Sequence, residues 1–139
     1  MTLVGFYVVQ SAAPGERLRV AARLTDKAFQ RGHRIFINAS DEAQANELDN
    51  LLWNFRPASF LPHALHGHED SAAIAIGWGQ DPGTHDDLLI NLQLEIPPFF
   101  SRFQRVAEVV TQEPSSLSAL RQSWKFYKER GYQLEKHDL

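Results

Sequence analysis

The chain has 139 residues, 43% of them apolar and 22% charged, with no cysteine and a formal net charge of −3. That is enough apolar material for one ordinary core and is unlike the composition of a disordered tail. It excludes a disulfide framework, a thiol nucleophile and thiolate-based zinc sites, and argues against a coat for a phosphate backbone, which needs many lysines and arginines together.

Leu3 to Val9 (LVGFYVV) is a short run of β-branched and aromatic residues and predicts a buried strand, broken by Pro14 and Gly15. Leu18, Ala21, Ala22, Thr25, Ala28 and Phe29 then recur at helical spacing, with Arg19, Arg23, Lys27 and Gln30 on the opposite face. Gly32 is placed to stop that helix, and residues 34–39 (RIFINA) read as a second buried strand. A second helix opens at Asp41, which can cap it, with Gln44 completing a capping box; Ala45, Leu48, Leu51 and Leu52 form its inner stripe. Strand, helix, strand, helix over some fifty residues is the pattern of an α/β layered domain.

From Trp53 to Asp70 the periodicity is lost, so an irregular loop carrying large apolar groups is expected, with Pro57 and Pro62 bracketing its middle. Ala72 to Trp78 predicts a third strand, Asp81-Pro82-Gly83 a turn, and Leu88 to Leu94 a fourth strand ended by Pro97-Pro98. Phe103 to Val110 suits a short helix or a strand; its β-branched end favours strand. Pro114 opens a last helix with Leu117, Leu120, Trp124 and Tyr127 on one face, stopped by Gly131. No repeat or linker divides residues 1–139, so a single domain is expected.

The charge is unevenly placed. Residues 1–34 carry a net +4, residues 35–100 a net −9 and residues 101–139 a net +2. Either separate surfaces serve separate partners or solvated faces have segregated by sign. Met1 to Gln10 has no basic n-region and no long apolar run, and no stretch approaches the ~20 apolar residues of a membrane span. A soluble cytoplasmic protein without membrane contact is expected.

Enzymatic chemistry finds little support. The turn after the first strand, Gln10 to Gly15, has neither the three-glycine dinucleotide fingerprint nor a Gly-Lys-Ser/Thr loop, and Gly77 to Gly83 leads into a turn and a strand without opening a helix. His63, His66 and His68, followed by Glu69 and Asp70, could gather around a metal, but loop spacing fixes no geometry, and a polar loop with locally bonded histidines is the expected reading. His85-Asp86-Asp87 reads as a turn with solvated charge, and the two aspartates would point to opposite faces of a strand. No catalytic residue, metal site or cofactor is expected.

Apolar surface remains. Trp53, Phe55, Phe60, Leu61 and Pro62 crowd a segment where polar groups are usual; they either fold back as a lid over the core or form a protein-binding patch. On the last helix Arg121, Lys125 and Lys128 share a face beside Leu117 and Trp124. That row suits a short acidic peptide with a hydrophobic end, or is a solvated outer face with Leu117 and Trp124 in the core.

Several segments resemble the chi subunit of bacterial DNA polymerase III. They are Phe6-Tyr7, Leu48-Asp49, Leu52-Trp53, residues 56–63 (RPASFLPH), Ile76-Gly77-Trp78, residues 87–92 (DLLINL) and Tyr127-Lys128 with Gly131-Tyr132 and Leu134. The resemblance runs nearly end to end; residues 53–63 and 87–92 are its specific parts and the final helix is looser. It implies a three-layer α/β/α Rossmann-like domain without a nucleotide-binding loop, acting as a non-catalytic accessory subunit of the clamp-loader complex. It implies two partners: the psi subunit, as a heterodimer, at Trp53, Phe60, Leu61 and Pro62, and the acidic, Phe-ended C-terminal tail of single-stranded-DNA-binding protein at Leu117, Arg121, Trp124, Lys125 and Lys128. A repair helicase would be an exclusive alternative to psi on the same surface, and contact with DNA would be indirect. Lysine stands at 128 where the family often shows arginine, which removes a bidentate fork. The alternatives are a Rossmann-like nucleotide- or small-molecule-binding enzyme with an unrecognised site, and direct single-strand binding, which the net charge of −3 disfavours.

Overall fold

A computed structural model describes residues 1–55, 61–65 and 72–139. In chain order the elements are β1 (Leu3–Val8), α1 (Glu16–Gln30), β2 (Ile35–Asn38), α2 (Glu42–Asn54), β3 (His63–Leu65), β4 (Ile74–Gly77), β5 (Leu88–Asn91), a 3-10 turn (Phe100–Arg102), β6 (Arg105–Val110), α3 (Pro114–Glu129) and β7 (Gln133–Asp138). All seven strands join one sheet in the order β3-β4-β2-β5-β6-β1-β7, and every neighbouring pair is parallel.

A parallel sheet needs cover on both faces, and the side chains sort accordingly. Ile35, Ile37, Ile74, Ile76, Ile90, Ala107 and Val109 pack beneath α1 and α2. Val4, Phe6, Val8, Phe36, Leu89 and Val106 face the other way, against Tyr127 of α3 and the aromatics Phe100 and Phe103. This is the expected three-layer α/β/α arrangement. The segment 103–110 is strand, as its β-branched end suggests, because β6 lies inside the sheet between β5 and β1.

Local chemistry sets the element ends. Asp41 caps α2 by accepting from the backbone N–H of Gln44 at 2.8 Å. The Gln44 side chain reaches back to the N–H of Ser40 at 2.7 Å, one residue before the cap itself. Gly32 and Gly131, at φ of 87° and 80°, end α1 and α3 in the left-handed conformation that glycine adopts without strain. Pro114 occupies the first turn of α3, where its missing N–H costs nothing.

Four expectations need correcting. Trp53 lies in the last turn of α2, not in a loop, and His63–Leu65 pairs with β4 as an edge strand. Three residues after a proline are too few to show alternation. The third and fourth strands are shorter than their apolar runs, at Ile74–Gly77 and Leu88–Asn91. The latter ends because Asn91 turns its side chain onto the chain that follows, taking the N–H of Gln93 and donating to the Glu95 carbonyl. A seventh strand, β7, follows α3 and pairs with β1; its QLEKHD sequence is half-exposed and carries little apolar signal. His85 is buried rather than solvated, at 3% exposure.

Candidate protein-binding surfaces

The first surface lies around the end of α2. Trp53 is 52% exposed, and its ring lies 4.6 Å from that of His63 on β3. The imidazole is enclosed: Nδ1 lies 2.6 Å from the Leu61 carbonyl, and Nε2 lies 3.2 Å from both the Asp49 carbonyl and its carboxylate. Both ring nitrogens thus face oxygen. Leu61 is 2% exposed and belongs to the core beneath α1 and α2. Phe55 packs against the same core, and Pro62 is partly exposed. So the aromatic segment divides: Leu61 and Phe55 turn inward, while Trp53 stands out. Phe60, His66 and His68 lie outside the described residues.

The second surface is α3. Ser116, Ser123 and Tyr127 face inward, and Leu117, Leu120 and Trp124 pack on the core along one flank. Trp124 lies 5.2 Å from Phe6 of β1, yet both it and Leu117 keep partly exposed edges. Arg121, Lys125 and Lys128 project from the exposed face beside that edge. Lys125 approaches Glu129 at 3.9 Å; Arg121 and Lys128 make no ion pair among the described residues. The structure therefore places all five predicted residues on one side of one helix.

Beneath α3 runs a polar chain that sequence reasoning missed. Tyr127 donates its hydroxyl to Glu108 at 2.8 Å, and Asn91 donates to the other carboxylate oxygen at 2.9 Å. Asn38 donates in turn to Asn91 at 3.1 Å. Burial is the main cause that pushes the Glu108 carboxyl up to about 7, against the opposing effect of these donors and of Arg17. A glutamate inside RVAEVV gives no signal of this in one dimension, since alternation reads it as a solvated position.

Open α/β sheets usually bind ligands where neighbouring strands send their helices to opposite faces. Here that crevice lies between the C-terminal ends of β1 and β6, and Arg17 of α1 crosses it. Its guanidinium donates to the Leu92 carbonyl and the Ser116 hydroxyl, both at 3.0 Å, and to Thr111 at 3.4 Å. The crevice ties α1 to α3 with the protein's own side chains. No cluster of three or more metal-capable side chains exists among the described residues, and no helix among them is long and apolar enough to cross a membrane.

The fold defines a Rossmann-like α/β domain. The profile of the family described as "DNA polymerase III chi subunit, HolC" matches residues 1–135. The chain belongs to that family, and is thus a non-catalytic accessory subunit of the replicative polymerase. It is 49% identical over 139 residues to the DNA polymerase III subunit chi of Pseudomonas aeruginosa, covering 100% of this chain and 98% of the relative. It is 30% identical over 137 residues to the subunit chi of Haemophilus influenzae, covering 96% and 95%. Against the subunit chi of Escherichia coli it is 30% identical over 119 residues, covering 84% and 81%.

Proposed function

We propose that this chain bridges the psi subunit of the clamp-loader complex to the acidic C-terminal tail of single-stranded-DNA-binding protein. The observation that carries the tail half is on α3, where Arg121 and Lys128 project without ion pairs among the described residues, beside the partly exposed Leu117–Trp124 edge. Carboxylates of the tail meet the cations, and its terminal apolar ring lies along the tryptophan edge. Lys125 adds charge at the rim, tempered by Glu129. The psi half is supported by Trp53, a large aromatic left 52% exposed in the last turn of α2. Pro62 is partly exposed nearby and Leu61 is buried in the core; Phe60, outside the described residues, is assigned to the same contact by the family resemblance alone, and a repair helicase would compete for it.

In this reading the protein tethers polymerase machinery to coated template in the cytoplasm and touches DNA only through its partners. Modest affinity suffices, because many tails on one coated strand raise the effective concentration. The test is a titration of the fluorescent tail peptide into the free chain and into its complex with the psi subunit of the same organism. Equal affinity in both, with a three-component species in sedimentation, is the expected result. Mutual exclusion of the two partners would overturn the bridge.

A further inference from the structure

The face of the sheet beneath α1 and α2 is covered unevenly. α1 lies over β2 and β6, and α2 lies beside it toward β3 and β4. Toward the far end, at β1 and β7, helix cover on that side thins to the flank of α1 among the described residues. On this face lie Gly5 and Tyr7 of β1 and Val9 just after it, while Val4, Phe6 and Val8 point toward α3. β7 presents Glu135 and His137, which are in register with Gly5 and Tyr7. The His137 ring stacks on Tyr7 at 4.6 Å and 17°. Gly5 keeps this floor low: a Cβ there would stand 3.2 Å from the Tyr7 ring.

Two hollows flank this floor along α1 and share Leu24 and Lys27. One, of about 150 Å³, is lined by Tyr7, Ala28, Arg31 and Arg105. The other, of about 600 Å³, is lined by Val9, Val20, Arg23 and Leu139. Together they make a groove along one flank of α1, bounded by Arg105, Tyr7 and Val9 on the sheet side and by Leu139 just after β7. The wall on the α1 side is cationic. Arg23, Lys27 and Arg31 recur at i, i+4 and i+8, all are exposed, and none makes an ion pair among the described residues. Such a row runs roughly 12 Å along the helix. The opposite side differs: Glu135 is engaged with Arg105 at 3.6 Å and with His137 at 3.3 Å.

We propose that this groove docks an amphipathic α-helix of a partner protein, with its apolar stripe on Tyr7, Val9 and Leu24 and acidic residues at i, i+4 spacing facing Arg23, Lys27 and Arg31. A helix is the element that would complete the open end of this layer, since parallel sheets are covered on both faces by helices. Charge complementarity makes the partner acidic on the α1 side only. A continuous phosphate backbone fits less well, because Glu16 lines the larger hollow and Glu135 already pairs with Arg105 of the smaller one. The groove lies on the opposite face of the sheet from α3 and is separate from the proposed tail site.

The probe is a 15-residue peptide, matched to the length of α1, with a leucine stripe flanked by glutamates at i, i+4 and i+8. It would be titrated into the full ¹⁵N-labelled chain. Saturable shifts at Tyr7, Leu24, Lys27 and His137 are expected, together with about ten-fold weaker binding at low salt for the Arg23→Glu, Lys27→Glu double variant. Lys128→Glu should leave this binding unchanged, so failure here is distinguishable from failure of the tail site. Because Arg23 and Lys27 are exposed, the double variant should unfold at the wild-type urea midpoint. Equal binding by a scrambled peptide of the same composition, unchanged affinity of the folded double variant, or shifts confined to α3 would overturn the proposal. So would displacement of the peptide by oligo-dT or occupation of the groove by a second copy of the chain.

Discussion

Tyr127 and Glu108 face each other across the layer between α3 and the sheet, with the phenol donating to the carboxylate at 2.8 Å and the tyrosine wholly buried. This bond fastens the middle of β6 to the last turns of the helix that also carries Lys128. The carboxyl sits at about 7, above its ordinary value of 4.5, because burial disfavours the charge. The folded state therefore binds more protons than the unfolded state between about pH 4.5 and 7, so this group's contribution to stability falls as pH rises through that window. Glu108→Gln should remove the effect: an amide can accept from Asn91 and donate to the tyrosine oxygen, so both neighbours stay bonded. Urea unfolding from pH 5 to pH 8 should show the variant gaining on the wild type as pH rises. A difference that does not change with pH would reject the assignment.

His85 works in the opposite direction. It is buried beside Phe36, with ring centroids 5.9 Å apart, and its Nε2 lies 3.0 Å from the Ala72 carbonyl. Burial and then Arg34 are the leading causes that hold its pKa below 6.5. The folded state then binds fewer protons than the unfolded one, and stability is lost as pH falls below 6.5. His85→Phe should be weaker at pH 8, because the bond to Ala72 is gone, yet show a flatter decline between pH 6.5 and 5. A decline as steep as in the wild type would place the acid sensitivity elsewhere.

These two residues also mark what the sequence could not show. The first four elements were legible because their burial leaves a mark: LVGFYVV and RIFINA are continuous apolar runs inside the sheet, and the stripes of α1 and α2 recur at helical spacing on it. β7 was not legible, since an edge strand shows its charged side chains to water and offers no continuous apolar run. Glu108 and His85 resemble ordinary surface residues until the fold closes over them. The basic row of α3 was visible as spacing, but its separation from the core was not. Only the structure shows Trp124 resting on Phe6 with an edge left outside.

Gly77, at the end of β4, is set by packing. A Cβ there would stand 2.6 Å from the Phe36 ring, which is itself fully buried on the neighbouring strand. The ring is hemmed in by Phe99 and Phe103 at 5.9 and 6.3 Å and has little room to yield. Gly77→Ala should therefore destabilise by about 1–3 kcal/mol, as overpacking commonly does. Denaturant unfolding would read this as a lower midpoint at an unchanged slope. An unshifted midpoint would mean that Phe36 has an alternative position.

Trp53 and Leu61, although eight positions apart in one aromatic segment, should respond differently to truncation. Leu61→Ala empties a core position that is 2% exposed and should cost about 2–5 kcal/mol of stability. Trp53→Ala removes a half-exposed ring and should change stability by about 1 kcal/mol or less, while weakening the psi complex. Phe60→Ala is expected to weaken that complex as well. Calorimetric titration of psi alongside thermal unfolding separates the two effects. Intact psi binding in both Trp53→Ala and Phe60→Ala would move the interface away from this patch.

Lys128 gives the sharpest test of the tail site. Its ammonium is a compact charge that meets one carboxylate oxygen at a time, whereas an arginine would present a planar fork to both. Lys128→Arg should therefore tighten tail-peptide binding a few-fold, and Lys128→Glu should abolish it, with the psi interaction intact in both. Lys128 is exposed and unpaired among the described residues, so neither change should alter folding. Wild-type affinity should also fall with added salt, since the cations facing the tail are exposed to solvent. Fluorescence anisotropy with the tail peptide at two ionic strengths reads all three effects. Binding that survives Lys128→Glu and ignores salt would put the tail on the Leu117–Trp124 edge alone, held by apolar contact without the basic row.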